Sequence, residues 1–129
     1  MCVLVALVRG APPPMDPEMA ELAQAVRDSC LAESGVDRAL VEGVNAGVAL
    51  SPDAALKCYI KCTMETTGMM ADGAVDVEAI LALLPDALRD RSAPHLRACG
   101  TQPGVDHCDV AYNTQVCWQK ANKDDYFLI

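Results

Sequence analysis

Lys57-Cys58-Tyr59-Ile60-Lys61-Cys62 is the stretch whose reading decides the fold. Its two cysteines are one helical turn apart, so on an α-helix both sulfurs leave the same face and point at neighbouring elements rather than at each other. Upstream, Ser51-Pro52-Asp53 has the form of a helix start, with Ser51 as N-cap and a proline in the first turn. Downstream, Gly68 and the turn Asp72-Gly73 supply the stop. The stretch therefore reads as a helix that offers two thiols to two different partners.

Outward from it the chain keeps helical periodicity. Met19, Leu22, Ala23, Val26, Cys30 and Leu31 form one helix face, with Asp16 placed to cap its start and Gly35 to end it. A short segment from Asp37 to Val44 precedes the turn Asn45-Ala46-Gly47. Val77, Ile80, Leu81 and Leu84 make another stripe, halted at Pro85. A fifth helix is expected from about Asp86 to Ala98, interrupted or bent by Pro94, and a sixth from about Asp106 to Lys120. No stretch sustains two-residue alternation, so the fold class is all-α, with six helices and short connections.

Composition agrees. The 129 residues suit one compact domain. They are 52% hydrophobic but 4% aromatic, and the 20 alanines favour helix over a strand-built sandwich. Ten basic against 18 acidic residues leave a net charge of −8, which repels phosphate backbones, so nucleic acid and anionic membrane surfaces are excluded as partners. A mean hydropathy of +0.16 is far from the regime of unfolded acidic chains.

Seven cysteines in so short a chain indicate an oxidising, extracellular setting. The odd one, Cys2, belongs to the apolar run Met1 to Val8, followed by Arg9-Gly10-Ala11 and three prolines. That run is too short for a membrane span of about 20 residues and reads as the residue of a signal peptide over 1–10, cleaved after Gly10. The other reading is a helix that stays attached. Cleavage leaves a domain over 11–129 with six cysteines, separated by 27, 3, 36, 8 and 8 residues. Cys108 and Cys117 lie about 180° apart on a helix, so the last helix is held on opposite sides. Six cysteines can pair in fifteen ways, and geometry alone does not choose. A solitary C-x₃-C, with His95 and His107 far from it, does not match a zinc site, and no cofactor is implied.

This register resembles that of the insect odorant- and pheromone-binding proteins, which carry six cysteines with three residues between the second and third and eight between the fifth and sixth. The Cys58-Tyr59-Ile60-Lys61-Cys62 helix, Leu83-Leu84-Pro85-Asp86, and Cys117-Trp118 followed by Asp125-Tyr126-Phe127-Leu128-Ile129 are similar to family elements, the last to the endings of antennal mosquito members. The resemblance implies bridges Cys30–Cys62, Cys58–Cys108 and Cys99–Cys117, and a six-helix disulfide-stapled domain around an internal hydrophobic cavity. It implies a secreted, extracellular carrier, as in sensillum lymph, that solubilises and transports a small hydrophobic volatile ligand. An olfactory receptor is the further partner, and the carrier is a monomer or homodimer.

By the same resemblance Val77, Ile80, Leu81, Leu84, Leu88, Ala93, Leu96, Trp118 and Phe127 line the pocket. Met64, Met69 and Met70 suit an adaptable wall or plain core. His95 stands where a relative presents an apolar pocket residue, so it is either a polar handle or is turned to solvent by Pro94. The resembled members close the pocket with a C-terminal lid. Carried onto this chain, the lid brings Tyr126 and Phe127 to the mouth, and the Ile129 carboxylate is latched by Arg27 and Tyr59. Alternatively Arg27 pairs with a nearby surface acid. Acid would release such a lid, but a carboxylate paired with arginine protonates only at low pH, so release near pH 5 would need His95 or the acids Asp124 and Asp125.

The same sequence is also compatible with a non-olfactory carrier or scavenger in other secretions, and a secreted hydrolase is the remaining alternative. Asp106-His107-Cys108-Asp109 is the one dense cluster of reactive types, and a bridged Cys108 leaves it no thiolate. No catalytic residue is assigned.

Overall fold

The computed structural model describes residues 16–129. The leader reading of residues 1–10, with Cys2, lies outside them. Six α-helices follow in order: α1 (Pro17–Ser34), α2 (Arg38–Asn45), α3 (Ala54–Thr66), α4 (Val77–Leu83), α5 (Asp86–Cys99) and α6 (His107–Ala121).

Five of the six start on an aspartate. Asp16, Asp37, Asp53, Asp76 and Asp106 each accept a hydrogen bond from a first-turn backbone N–H, which satisfies a donor that has no partner within the helix. The cap of α3 is thus Asp53 and not Ser51, because the carboxylate stands immediately before the first helical residue and accepts from Leu56 N at 2.9 Å. Gly35, with φ of 69°, closes α1 in the left-handed region that glycine adopts at no steric cost. Helix α5 runs unbroken through Pro94 rather than being interrupted there. Between α3 and α4 the Asp72-Gly73 turn joins two short strands, β1 (Met70–Ala71) and β2 (Ala74–Val75), paired antiparallel. Both turn residues have positive φ, 52° and 79°, the geometry that an Asp-Gly pair accommodates. These two-residue strands are too short to leave an alternating pattern.

Helix α3 makes its principal contacts with α6 and α1. Leu56, Tyr59, Ile60 and Met64 are fully buried there, with Val41 of α2. Its cysteines bridge in both directions: Cys62 to Cys30 of α1 and Cys58 to Cys108 of α6, while Cys99 at the end of α5 is tied to Cys117 of α6. Beside the second bridge, Lys57 Nζ lies 3.0 Å from Asp109 and 5.0 Å from the centre of the Tyr112 ring. The Lys57 hydrogen bond holds the Asp109 carboxyl below its ordinary value. Gln119 of α6 receives Leu50 N and donates to Val48 O, so the connection from α2 to α3 is fastened to the last helix.

Removing the Cys58–Cys108 bridge frees a loop of 50 residues, against 18 for Cys99–Cys117. In the chain-entropy treatment these are worth about 4 and about 3 kcal/mol. The C58A/C108A double variant is expected to lose about 2–4 kcal/mol of unfolding free energy in urea titration, and more than C99A/C117A.

Candidate ligand-binding site

A cavity of about 350 Å³ opens beneath α1, α4 and α5 and is floored by α6 and the C-terminal tail. Each helix contributes a stripe. Met19, Leu22, Ala23 and Val26 come from α1, and Leu88, Ser92, His95 and Leu96 from α5. Gln115, Trp118 and Asn122 come from α6 and the residue after it, each at a spacing that keeps one face inward. Ile80, Leu83 and Leu84 close the α4 side, and Thr63, Thr66, Thr67 and Met69 the end of α3. Leu22 and Leu83 are exposed and form an apolar rim.

Ile80, Leu84, Leu88, His95, Leu96, Trp118, Tyr126 and Phe127 all stand on this wall, with His95 half-buried rather than turned away. Val77, Leu81 and Ala93 do not. Leu81 is one residue, about 100° of helix, round from Ile80. It is buried on the opposite flank with Ala93, where α4 meets α5 and Arg89 Nε donates to its carbonyl at 2.8 Å. Val77, at the first turn of α4, packs on the core instead. Of the three methionines only Met69 reaches the cavity; Met64 and Met70 are core. The α1 stripe, Leu83 and Gln115 were not read as pocket residues. Helical periodicity marks α1 as amphipathic but does not distinguish a face against packed atoms from a face against a void.

The tail is built into the molecule rather than laid over it. Leu128 is 1% exposed. Its N–H donates to Asn45 Oδ1 and its carbonyl accepts from Asn45 Nδ2, both at 2.7 Å, so one side chain at the end of α2 imitates a strand partner. This leaves Tyr126, Phe127 and Ile129 on the cavity wall. Tyr126 donates its hydroxyl hydrogen to Gln115 Oε1. At the tail's root Asp125 is clasped by Arg91 of α5 at 3.0 and 3.1 Å and by Asn122 Nδ2 at 2.9 Å.

The Ile129 main-chain oxygen accepts from the Tyr59 hydroxyl. Burial pushes the Tyr59 phenol up to about 12, so it remains a donor at neutral pH. Among the described residues Arg27, the other expected half of the latch, forms no hydrogen bond or ion pair with Ile129. Its guanidinium lies 3.9 Å from Glu42 of α2, the nearby-acid alternative, and its buried Nε has no acceptor among the described residues. The tail's course is set by Asn45 and brings Ile129 O to Tyr59, while Arg27 faces the negative charge of Glu42.

In the Asp106–Asp109 cluster, Cys108 is bridged, Asp109 is paired with Lys57, and His107 is exposed on the surface. No helix among the described residues is long and apolar enough to cross a membrane.

Residues 14–121 match the family model described as the PBP/GOBP family. General odorant-binding protein 69a of Drosophila melanogaster is 27% identical over 109 residues, 84% of this chain and 74% of that protein. Odorant binding protein 5 of Apis mellifera superposes with a TM-score of 0.79 at 23% identity, covering 92% of this chain and all of the other. The fatty acid binding protein OBP56a from the oral disk of the blowfly Phormia regina superposes with a TM-score of 0.70 at 23% identity, covering 87% and 98%. The all-α fold is shared with these structures.

Asn45→Ala removes both hydrogen bonds to Leu128. Hydrogen exchange at the Leu128 amide is expected to accelerate by roughly tenfold or more, from a loss of about 1–3 kcal/mol, while the amides of α3 and α6 keep their protection.

Proposed function

The chain belongs to the PBP/GOBP family, and on that premise we propose that it is a secreted carrier that takes up one small hydrophobic ligand in the cavity, with residues 122–129 as its lid. The observation that supports this reading is the wall itself: α1, α4, α5, α6 and the tail turn aliphatic and aromatic side chains onto one void instead of onto each other. Two of its hydroxyls are engaged internally, Thr63 with the Ile60 carbonyl and Thr67 with the Thr63 carbonyl, so an apolar guest leaves those two donors satisfied. A volatile odorant handed to an olfactory receptor is the first ligand class. The blowfly relative's name favours a second setting, a non-olfactory carrier of lipids in an oral secretion. Neither reading includes catalysis.

In this proposal the lid is held shut at three points: Asp125 on Arg91, Leu128 on Asn45 and Ile129 on Tyr59. The hydrogen bond from Arg91 holds the Asp125 carboxyl below its ordinary value of 3.8. A depressed acid contributes its stabilisation above the ordinary value and loses it as pH falls through the lowered one. The electrostatic influence of His95 on Asp125 runs in the same direction as that of Arg91. Acid release through these groups therefore belongs below pH 3.8 rather than near pH 5.

Affinity for a fluorescent hydrophobic probe is expected to stay flat from pH 7 to about 4 and to fall only below the ordinary Asp125 value of 3.8. Deleting residues 124–129 should weaken binding about tenfold at pH 7, through loss of Phe127 and Tyr126 from the wall, and should flatten the acid limb. Identical pH profiles for the full and shortened chains would refute the lid. No measurable probe binding by the full chain would refute the carrier.

A further inference from the structure

Gln115 is a polar side chain in the deepest part of the α6 wall, only 4% exposed. Its Oε1 receives the Tyr126 hydroxyl hydrogen, and burial raises the Tyr126 phenol so that the hydroxyl remains the donor. That bond orients the amide with Oε1 toward the tail. Nε2 then has no acceptor among the described residues, yet it is not one of the fully enclosed unpartnered atoms. In a residue this buried, the surface it keeps faces the cavity it lines.

Among the nine-tenths-buried side chains of the wall, this N–H group has no competitor. The other nine-tenths-buried hydroxyls on the wall, those of Thr63 and Tyr126, have already donated their hydrogens. Ile80, Leu88 and Leu96 offer no polar atom. One turn along α6, the Trp118 indole N–H is also unpaired, though sealed from the cavity, so this face of the helix carries two donors and no acceptor for them. An unpaired buried donor is costly, and a ligand that supplies the acceptor recovers that cost on binding.

Charge then narrows the acceptor. Among the described residues no lysine or arginine lines the cavity; its one acidic side chain, Asp125, is held at the mouth by Arg91, and the electrostatic influence of His95 falls on that same Asp125. A carboxylate ligand would enter a low-dielectric site with no lysine or arginine to pair with. We propose that Gln115 is the head-group site of the cavity and selects ligands bearing one uncharged carbonyl oxygen, an aldehyde, ketone or ester, on an aliphatic body. The inference rests on the carrier reading and specifies its ligand class.

The test is a probe-displacement series at pH 7.5 with four straight-chain ten-carbon ligands: an aldehyde, a methyl ester, an alkane and a carboxylate. For the unmodified protein the ester should bind at least tenfold more tightly than the carboxylate. The infrared carbonyl stretch of the bound aldehyde should shift to lower frequency than in hydrocarbon solvent, the mark of an accepted hydrogen bond. In Gln115→Met, shown to be folded by circular dichroism, aldehyde and ester affinities should fall roughly fivefold while the alkane is unchanged, and the carbonyl shift should vanish. Equal binding of ester and carboxylate, or an unshifted carbonyl in the unmodified protein, would overturn the head-group site, and so would equal loss of aldehyde and alkane in the variant. Those results leave the carrier reading standing. Failure of all four ligands to displace the probe would overturn both.

Discussion

A helical domain with a void inside it cannot hold itself together by packing alone, since each wall residue forfeits the contacts a core neighbour would supply. The consequence is visible at α3. Cys58 and Cys62 emerge from one face of that helix and fasten it to α6 and α1, and the third bridge joins α6 to α5. The covalent frame places α1, α5 and α6 around the cavity before any side chain lines it. Helix α4 has no bridge, and its position depends on shorter-range devices: Arg89 reaching the Leu81 and Leu84 carbonyls, and Arg97 against Glu78. The part of the wall with the weakest fastening, α4, also carries the exposed rim residue Leu83.

The tail solves a related problem. Eight residues after the last helix have no regular backbone ladder of their own, so each polar group needs an individual partner. Asn45 serves Leu128, Asn122 receives the Tyr126 N–H at its carbonyl, and Tyr59 serves the terminus. With these in place Leu128 becomes core, while Phe127 and Ile129 face the cavity. The tail is at once a structural strand substitute and a wall, so ligand occupancy and tail order are coupled through the same residues.

Much of this was legible beforehand, and what was not has a physical reason. The cysteine register carried the frame, and four of the five aspartate caps lay at or beside expected helix starts, because caps and loops are local signals. Ser51 reads as the cap because serine before proline is a familiar start, but the first turn of α3 meets the Asp53 carboxylate instead. Ile80 and Leu81 could not be separated, since adjacent residues on a short helix both lie inside a broad apolar face and only the position of α5 determines which flank faces the void. Asn45 read as a turn residue, and nothing local announces a partner 83 residues away. Arg27 was assigned by resemblance, but its role depends on where Glu42 falls, a residue on another helix.

Gln115 shows why polar residues on such a wall are more informative than apolar ones. Leucine or valine facing a cavity is equally consistent with a slightly loose core, because an apolar side chain loses only dispersion contacts when its neighbour is missing. A buried amide is different: each of its donors must be satisfied or is costly, so one left open in an ordered structure indicates what ought to meet it. Here one end of the amide is committed to Tyr126 and the other is open to the cavity. A guest that fills the open end also fixes the amide that receives the lid tyrosine, so recognition of the head group and closure of the tail act on a single side chain. The two hydrogen bonds reinforce each other through the polarisable amide in a low-dielectric setting. The ligand that fits the head-group site is therefore also the one that holds the lid most firmly.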